Sequence, residues 1–196
     1  MQNHEGEWLR LAREGDAAAF ANLVEMYARP VYNLCYRMLG NSQDAEDAAQ
    51  EAFLRAFRNL QRYDPQRKFA TWLLSIAANY CIDQHRRVKP PQLDLDEGPY
   101  ELPDKSLGPE KQTLARELQD EVQSLLAGLP PRDRAAVILY YWYDYSYAEI
   151  AKQLSISEGA LKTRMHRVRR SLALAWEETQ ENAPQAKRRL YEEAIP

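Results

Sequence analysis

Residues 155–175 hold five cations, Lys162, Arg164, Arg167, Arg169 and Arg170, against one acid, Glu158. The 196-residue chain as a whole has a net charge of −3, so any affinity for phosphates comes from segregated patches rather than from bulk charge. Leu161, Met165, Val168 and Leu172 stand at i, i+4, i+7 and i+11 and share one helical stripe. Gly159, Thr163, His166 and Arg170 lie opposite, with the other cations on the flanks. Before them, Ala148, Ile150, Ala151 and Leu154 give a short helix one apolar side, and Ser155-Ile156 makes a turn. Ser157 is an N-cap, and Glu158 sets a carboxylate at the positive end of the second helix. Two helices, a tight turn and a basic second helix are the layout of a helix-turn-helix that lies in a DNA major groove. A solvated basic face on an ordinary helical hairpin is the competing reading.

Two further patterns carry chemistry. The loop Gln61–Ala70 interleaves Arg62, Arg67 and Lys68 with Tyr63 and Phe69. Rings that stack on bases beside cations that hold phosphates suit single-stranded nucleic acid. In the helix predicted over 42–60, Asp47, Gln50, Glu51, Leu54 and Arg58 form a stripe opposite the apolar face. Solubility and dipole complementarity account for its charges, but not for an apolar residue in its middle, which makes the stripe a candidate partner-protein surface. An enzyme is not expected: His4, His85 and His166 are scattered, no Cys or His pair has ligand spacing, and no glycine loop cradles phosphate. No catalytic residue, metal or cofactor is assigned. Cys35 and Cys81 fall within apolar helical patterns and read as buried thiols of a reducing compartment.

The elements that position these groups are helical. Apolar residues make up 45% of the chain and no alternating β-branched run occurs, so the fold class is all-α. Helical period runs over 16–38, interrupted at Pro30, where a kink or restart is expected. It runs again over 42–60, where Ala45, Ala48, Ala49, Ala52 and Ala56 permit close helix approach, and over 71–87, with a basic end at Arg86 and Arg87. Residues 88–109 carry five prolines and five acids and read as a flexible, acidic, Pro-rich linker. A helix over 110–129 follows, then one capped by Asp133 whose apolar side is expected to pack on the hairpin. The domains are therefore 1–87, the linker 88–109, the helix-turn-helix domain 110–176 and a tail 177–196. The N-terminus has no apolar signal core, and the longest apolar run, 135–143, is too short to cross a bilayer. A cytoplasmic protein without membrane insertion is expected.

The stretches SQDAEDAAQEAFLRAFRNL, FATWLLSIAANYCIDQHRR and GLPPRDRAAVILYYWYDYSYAEIAKQLSISEGALKTRMHRVRRSL together resemble a bacterial RNA polymerase sigma factor. The two-domain layout resembles the extracytoplasmic-function (ECF) group. The resemblance spans about Asp16 to Ala175. It implies a protein that binds core polymerase, directs it to promoters and helps open the DNA. By that resemblance Asp47, Gln50, Glu51, Leu54 and Arg58 correspond to the family's polymerase-docking surface. The loop and following helix correspond to the part that recognises and melts the −10 element, with Arg62, Tyr63, Arg67, Lys68, Phe69, Asn79, Arg86 and Arg87 as DNA-binding candidates. Trp72 serves mainly as core. The helix-turn-helix corresponds to the −35 reader, with Gly159, Lys162, Thr163, His166, Arg167 and Arg170 as candidates. Ser155 stands where a glycine often closes the turn, which implies slight strain. Family members are often held inactive by an anti-sigma factor, a candidate partner here. A stand-alone helix-turn-helix regulator with an N-terminal interaction domain is the alternative, and it leaves the 47–58 stripe and the aromatic-basic loop without a role.

Overall fold

The computed structural model describes residues 2–87 and 109–182. The expected linker, most of the tail and the side chain of Arg87 lie outside the described residues. In chain order the helices are α1 (Gln2–Arg13), α2 (Ala17–Leu39), α3 (Ser42–Asn59), a 3₁₀ turn (Leu60–Arg62), α4 (Phe69–Arg87), α5 (Pro109–Ala127), α6 (Pro131–Tyr143), α7 (Tyr147–Leu154) and α8 (Glu158–Asn182). The chain divides into two compact units, Met1–Ser146 and Tyr147–Pro196. That division falls beyond the linker, and it places α5 and α6 in the first unit.

The ends of α2 show why the chain folds where it does. Asp16 Oδ1 accepts from the Ala18 and Ala19 N–H groups at 2.8 and 3.1 Å, supplying partners for two donors that a helix start leaves over. Gly40 ends the helix with φ 86°, a left-handed conformation that costs glycine nothing, and its N–H donates to the Tyr36 carbonyl. The helix runs through Pro30 as one element rather than restarting. Asn41 caps α3, accepting from the Asp44 N–H at 2.7 Å.

The core of the first unit is a three-helix layer of α2, α3 and α4. Leu23, Val31, Leu34, Cys35 and Met38 of α2 are fully enclosed, as are Leu73, Ala77 and Cys81 of α4. The alanine face of α3 is buried throughout, so small side chains let that helix approach its neighbours closely. Cys35 and Cys81 meet in this core as free thiols. Their mutual hydrogen bond, then burial, push the Cys81 thiol up, which keeps it unreactive.

α6 departs from expectation. Its apolar side, Ala135–Leu139, is buried, and the helix packs on α2 and α4 instead of serving the helix-turn-helix. Asp133 lies inside its first turn, while the N-cap position is Pro130, with Pro131 as the first helical residue. A polar seam explains the attachment. A helix end leaves its last carbonyls short of partners; beyond the Gly40 N–H on Tyr36, side chains from α5, α6 and α4 supply them. Gln123 Nε2 donates to the Tyr36 and Arg37 carbonyls at 3.3 Å. Arg134, 3% exposed, donates to the Met38 carbonyl and also to Ala127 and Leu129 at the end of α5. His85 Nε2 lies 2.7 Å from the Met38 carbonyl and 3.0 Å from the Arg134 guanidinium. Burial lowers the Arg134 pKa to about 10. Burial, and secondarily Arg134, lower that of His85. Tyr143 and Tyr145 add bonds to the carbonyls of Pro30 (2.6 Å) and Thr71 (2.7 Å).

In the second unit, Ile150, Ala151 and Leu154 of α7 pack against Leu161, Met165 and Val168 of α8, the stripe expected from spacing. Leu172 is half-buried.

Candidate nucleic-acid interface

The turn between α7 and α8 is built from short-range bonds. The Ile156 N–H donates to the Ala151 carbonyl at 3.0 Å, and Ser157 Oγ accepts from the Ala160 N–H at 3.1 Å. Ser155 sits at φ 55°, a left-handed backbone that costs a residue with a Cβ about 1–2 kcal/mol. The strain expected where a glycine would be at ease is therefore present. Beyond the turn, Gly159, Lys162, Thr163, His166, Arg167 and Arg170 are all exposed. Thr163 Oγ1 donates to the Gly159 carbonyl, and Lys162 pairs with Glu158 at 3.2 Å. Both ties are on the surface and weak, so the outer face of α8 can exchange them for DNA. The six −35 candidates are on one continuous solvent-facing side, an arrangement that spacing alone had fixed.

The loop between α3 and α4 behaves differently. Arg62, Arg67 and Lys68 are exposed, as are Asn79 and Arg86 on α4. Tyr63 and Phe69 are not: Phe69 is 2% exposed and Tyr63 is buried beside it. Their rings meet edge to face with centroids 5.4 Å apart, Trp72 lies 5.3 Å from Tyr63, and Tyr27 of α2 closes the cluster at 5.6 Å from Phe69. The Tyr63 hydroxyl also donates to the Arg67 carbonyl, tying the loop across its base. These two rings are thus walls of the loop rather than free stacking faces, which corrects their place among the residues that meet a base directly. Arg67 pairs with Asp64 at 3.6 Å, and Asp64 Oδ1 accepts from the Gln66 N–H, so Asp64-Pro65 sets the turn as expected.

On α3, Asp47, Gln50, Leu54 and Arg58 are exposed, while Glu51 is half-buried and bonded to Arg55 Nε at 2.7 Å. Arg55 in turn lies 4.7 Å over the Tyr80 ring. Leu54 is 50% exposed and Phe57, one helical turn on, is 45% exposed. Two large apolar side chains held in solvent between charged neighbours form an anchor patch of the kind that protein interfaces use. Phe57 had gone unremarked as a surface residue because its spacing matches the buried face. Half of its ring does turn inward, against Phe20 at 4.9 Å.

Residues 23–90 match the Sigma-70 region 2 family, and residues 119–172 match Sigma-70 region 4. The ECF RNA polymerase sigma factor SigW of Bacillus subtilis is 40% identical over 172 residues, covering 84% of this chain and 92% of that protein. The chain belongs to the ECF sigma factors. The ECF RNA polymerase sigma-E factor of Escherichia coli K12 is 34% identical over 82% of this sigma factor and 87% of its own length. Two solved structures share the fold. CnrH in complex with the cytosolic domain of CnrY has a TM-score of 0.66 at 23% identity, covering 89% of this chain and 98% of that one. RpoE in complex with the anti-sigma factor NepR, from Bartonella quintana, has 0.59 at 19%, covering 81% and 96%. This sigma factor is a transcription-initiation protein whose partners are core RNA polymerase and promoter DNA. The match to region 4 starts within α5, so α6 and the end of α5, packed on α2 and α4, belong to that region by sequence. Among the described residues no helix is long and apolar enough to cross a membrane.

Proposed function

We propose that three separate surfaces divide the work of initiation. The α3 stripe Asp47, Gln50, Glu51, Leu54 and Arg58, widened by Phe57, docks on polymerase. Arg62, Arg67 and Lys68 of the loop, with Asn79, Arg86 and Arg87 of α4, hold the opened −10 strand. The outer face of α8 reads the −35 duplex. The observation that carries this reading is Leu54, half in solvent within an otherwise polar stripe. The stand-alone regulator reading leaves that stripe without a role. Leu54→Glu tests it: the variant keeps its helical far-ultraviolet spectrum and loses co-purification with core polymerase. Retention of polymerase by that variant removes the docking assignment.

The functional domains are 1–87 and 110–176, with 88–109 as the spacer and 177–196 as a tail. Fully extended, the spacer reaches at most ~75 Å, against roughly 70 Å for two turns of B-DNA. The protein catalyses no covalent step and works in the cytoplasm. An anti-sigma factor is a further partner, in keeping with the NepR complex of the Bartonella relative.

A further inference from the structure

α1 (Gln2–Arg13) lies outside both matched regions, yet two directional bonds tie it to the base of the 61–70 loop. The Tyr27 hydroxyl donates to Glu5 Oε1 at 2.9 Å. The ring of that same tyrosine meets Phe69 edge to face, and Phe69 in turn meets Tyr63. Burial, and then the bond to Glu5, push the Tyr27 phenol well above its usual range, so it stays a donor at any working pH. The second bond caps the end of α1. The Gly15 N–H donates to the Ala12 carbonyl, and the Asp16 N–H to that of Leu11. The Arg13 carbonyl accepts instead from Gln61 Nε2, on the 3₁₀ turn that opens the loop. Packing alone does not make this connection: between α1 and residues 61–65 the surface opens into a cleft of about 500 Å³. The placing of the loop against α1 therefore depends on the two bonds.

We infer that α1 is a brace for the 61–70 loop, with Glu5, Tyr27 and Gln61 as positioning residues that hold the loop's cations in place for the opened −10 strand. The inference rests on the role proposed for that loop. The loop's own structure shows the need. Residues 63–68 lie outside any helix, and Arg62, Arg67 and Lys68 reach from this stretch into solvent. A loose loop must be ordered when it binds, and that cost subtracts from affinity; a loop fixed beforehand avoids it. The ring cluster fixes the loop from beneath, and Tyr27 is the member of the cluster that α1 grips through Glu5. Gln61 fixes the point where the loop begins. Glu5 and Tyr27 act without touching DNA: a carboxylate repels phosphate, and the Tyr27 hydroxyl is engaged by Glu5.

The test has two arms. In the first, the free full chain meets trypsin briefly, and cleavage after Arg62, Arg67 and Lys68 reads how often the loop opens. Tyr27→Phe keeps the ring and removes the donor. Cleavage in the loop then rises about fivefold, within the range of couplings between contacting residues, while cleavage in α8 does not change. In the second arm, holoenzyme assembled from core polymerase and the full chain binds a forked promoter with a single-stranded −10 segment and, separately, a duplex bearing the −35 element alone. Tyr27→Phe and Glu5→Ala each weaken binding to the fork about fivefold and leave the −35 duplex unchanged. The double variant is no weaker than either, since both break one bond. Glu5→Gln, whose amide oxygen still accepts, restores binding, and Gln61→Ala adds a loss of its own. Unchanged loop cleavage in Tyr27→Phe, equal losses on both DNAs, or no rescue by Glu5→Gln overturns the brace. Faster cleavage with unaltered fork binding, or wild-type holoenzyme that does not distinguish the −10 single strand from a scrambled one, overturns the loop's role, and the positioning with it.

Discussion

The 61–70 loop and the α8 helix present similar cations from opposite kinds of structure. In α8 a helical period separates the two sides: Leu161, Met165 and Val168 go in, and Lys162, Arg167 and Arg170 go out. The loop has no period, and its inside and outside are set by distant partners. Tyr27 of α2 and Trp72 of α4 draw Tyr63 and Phe69 into a ring cluster, which pushes Arg62, Arg67 and Lys68 to the surface. The first unit goes further still, turning a cation inward at Arg134, because the uncapped carbonyls of α2 and α5 supply partners there. Charge in the second unit is a surface property. In the first it is partly a fastening.

The largest effect is expected where that contrast is sharpest. Phe69→Ala empties a fully buried site and costs about 3–5 kcal/mol of stability, read as a shifted urea midpoint. Arg67→Ala, two residues away and exposed, leaves the midpoint within about 0.5 kcal/mol. Equal midpoints for the two variants would erase the distinction between wall and surface. Arg134→Ala comes next. It strips donors from the Met38, Ala127 and Leu129 carbonyls, an expected loss of about 2–4 kcal/mol in the same measurement. A neutral result would show that water replaces the guanidinium and that the seam is no fastening.

On the other side of the comparison, Arg167→Ala leaves stability untouched and weakens holoenzyme binding to promoters bearing the −35 element by about 1–3 kcal/mol, provided that it contacts a base edge. Gel-shift competition against a scrambled upstream element separates the cases, since an equal loss on both marks a phosphate contact. The smallest effect belongs to His85. Its folded pKa lies below the ordinary 6.5, chiefly through burial and then through Arg134, so the folded state binds fewer protons than the unfolded one. The contribution is fully present above pH 6.5 and is lost as pH falls through the folded value. The other groups in reach are the Met38 carbonyl and Asp44, which favour the charged form. Melts of wild type and His85→Gln between about pH 7.5 and 5 should therefore differ in slope, with wild type losing more on the acid side. Parallel curves would mean that the imidazole charges freely beside Arg134.

Much of the candidate site was legible in the amino-acid order. Asp16, Gly40 and Ser157 mark helix ends through their own chemistry, and every −35 candidate on α8 is exposed as its spacing requires. On α3, Leu54 and the charged stripe stood out because they contradict the local pattern. α1 was missed, although Trp8, Leu11 and Ala12 carry a faint helical period; a single turn of apolar spacing is too short to weigh by itself. The sequence alone determined which residues share a helical face, since 3.6 residues per turn is a local rule. Only the tertiary structure decided what each face meets. The burial of Tyr63 and Phe69, the packing of α6 on α2 and α4, and the cleft between α1 and the loop all join residues far apart in the chain, and long-range packing leaves no period to read.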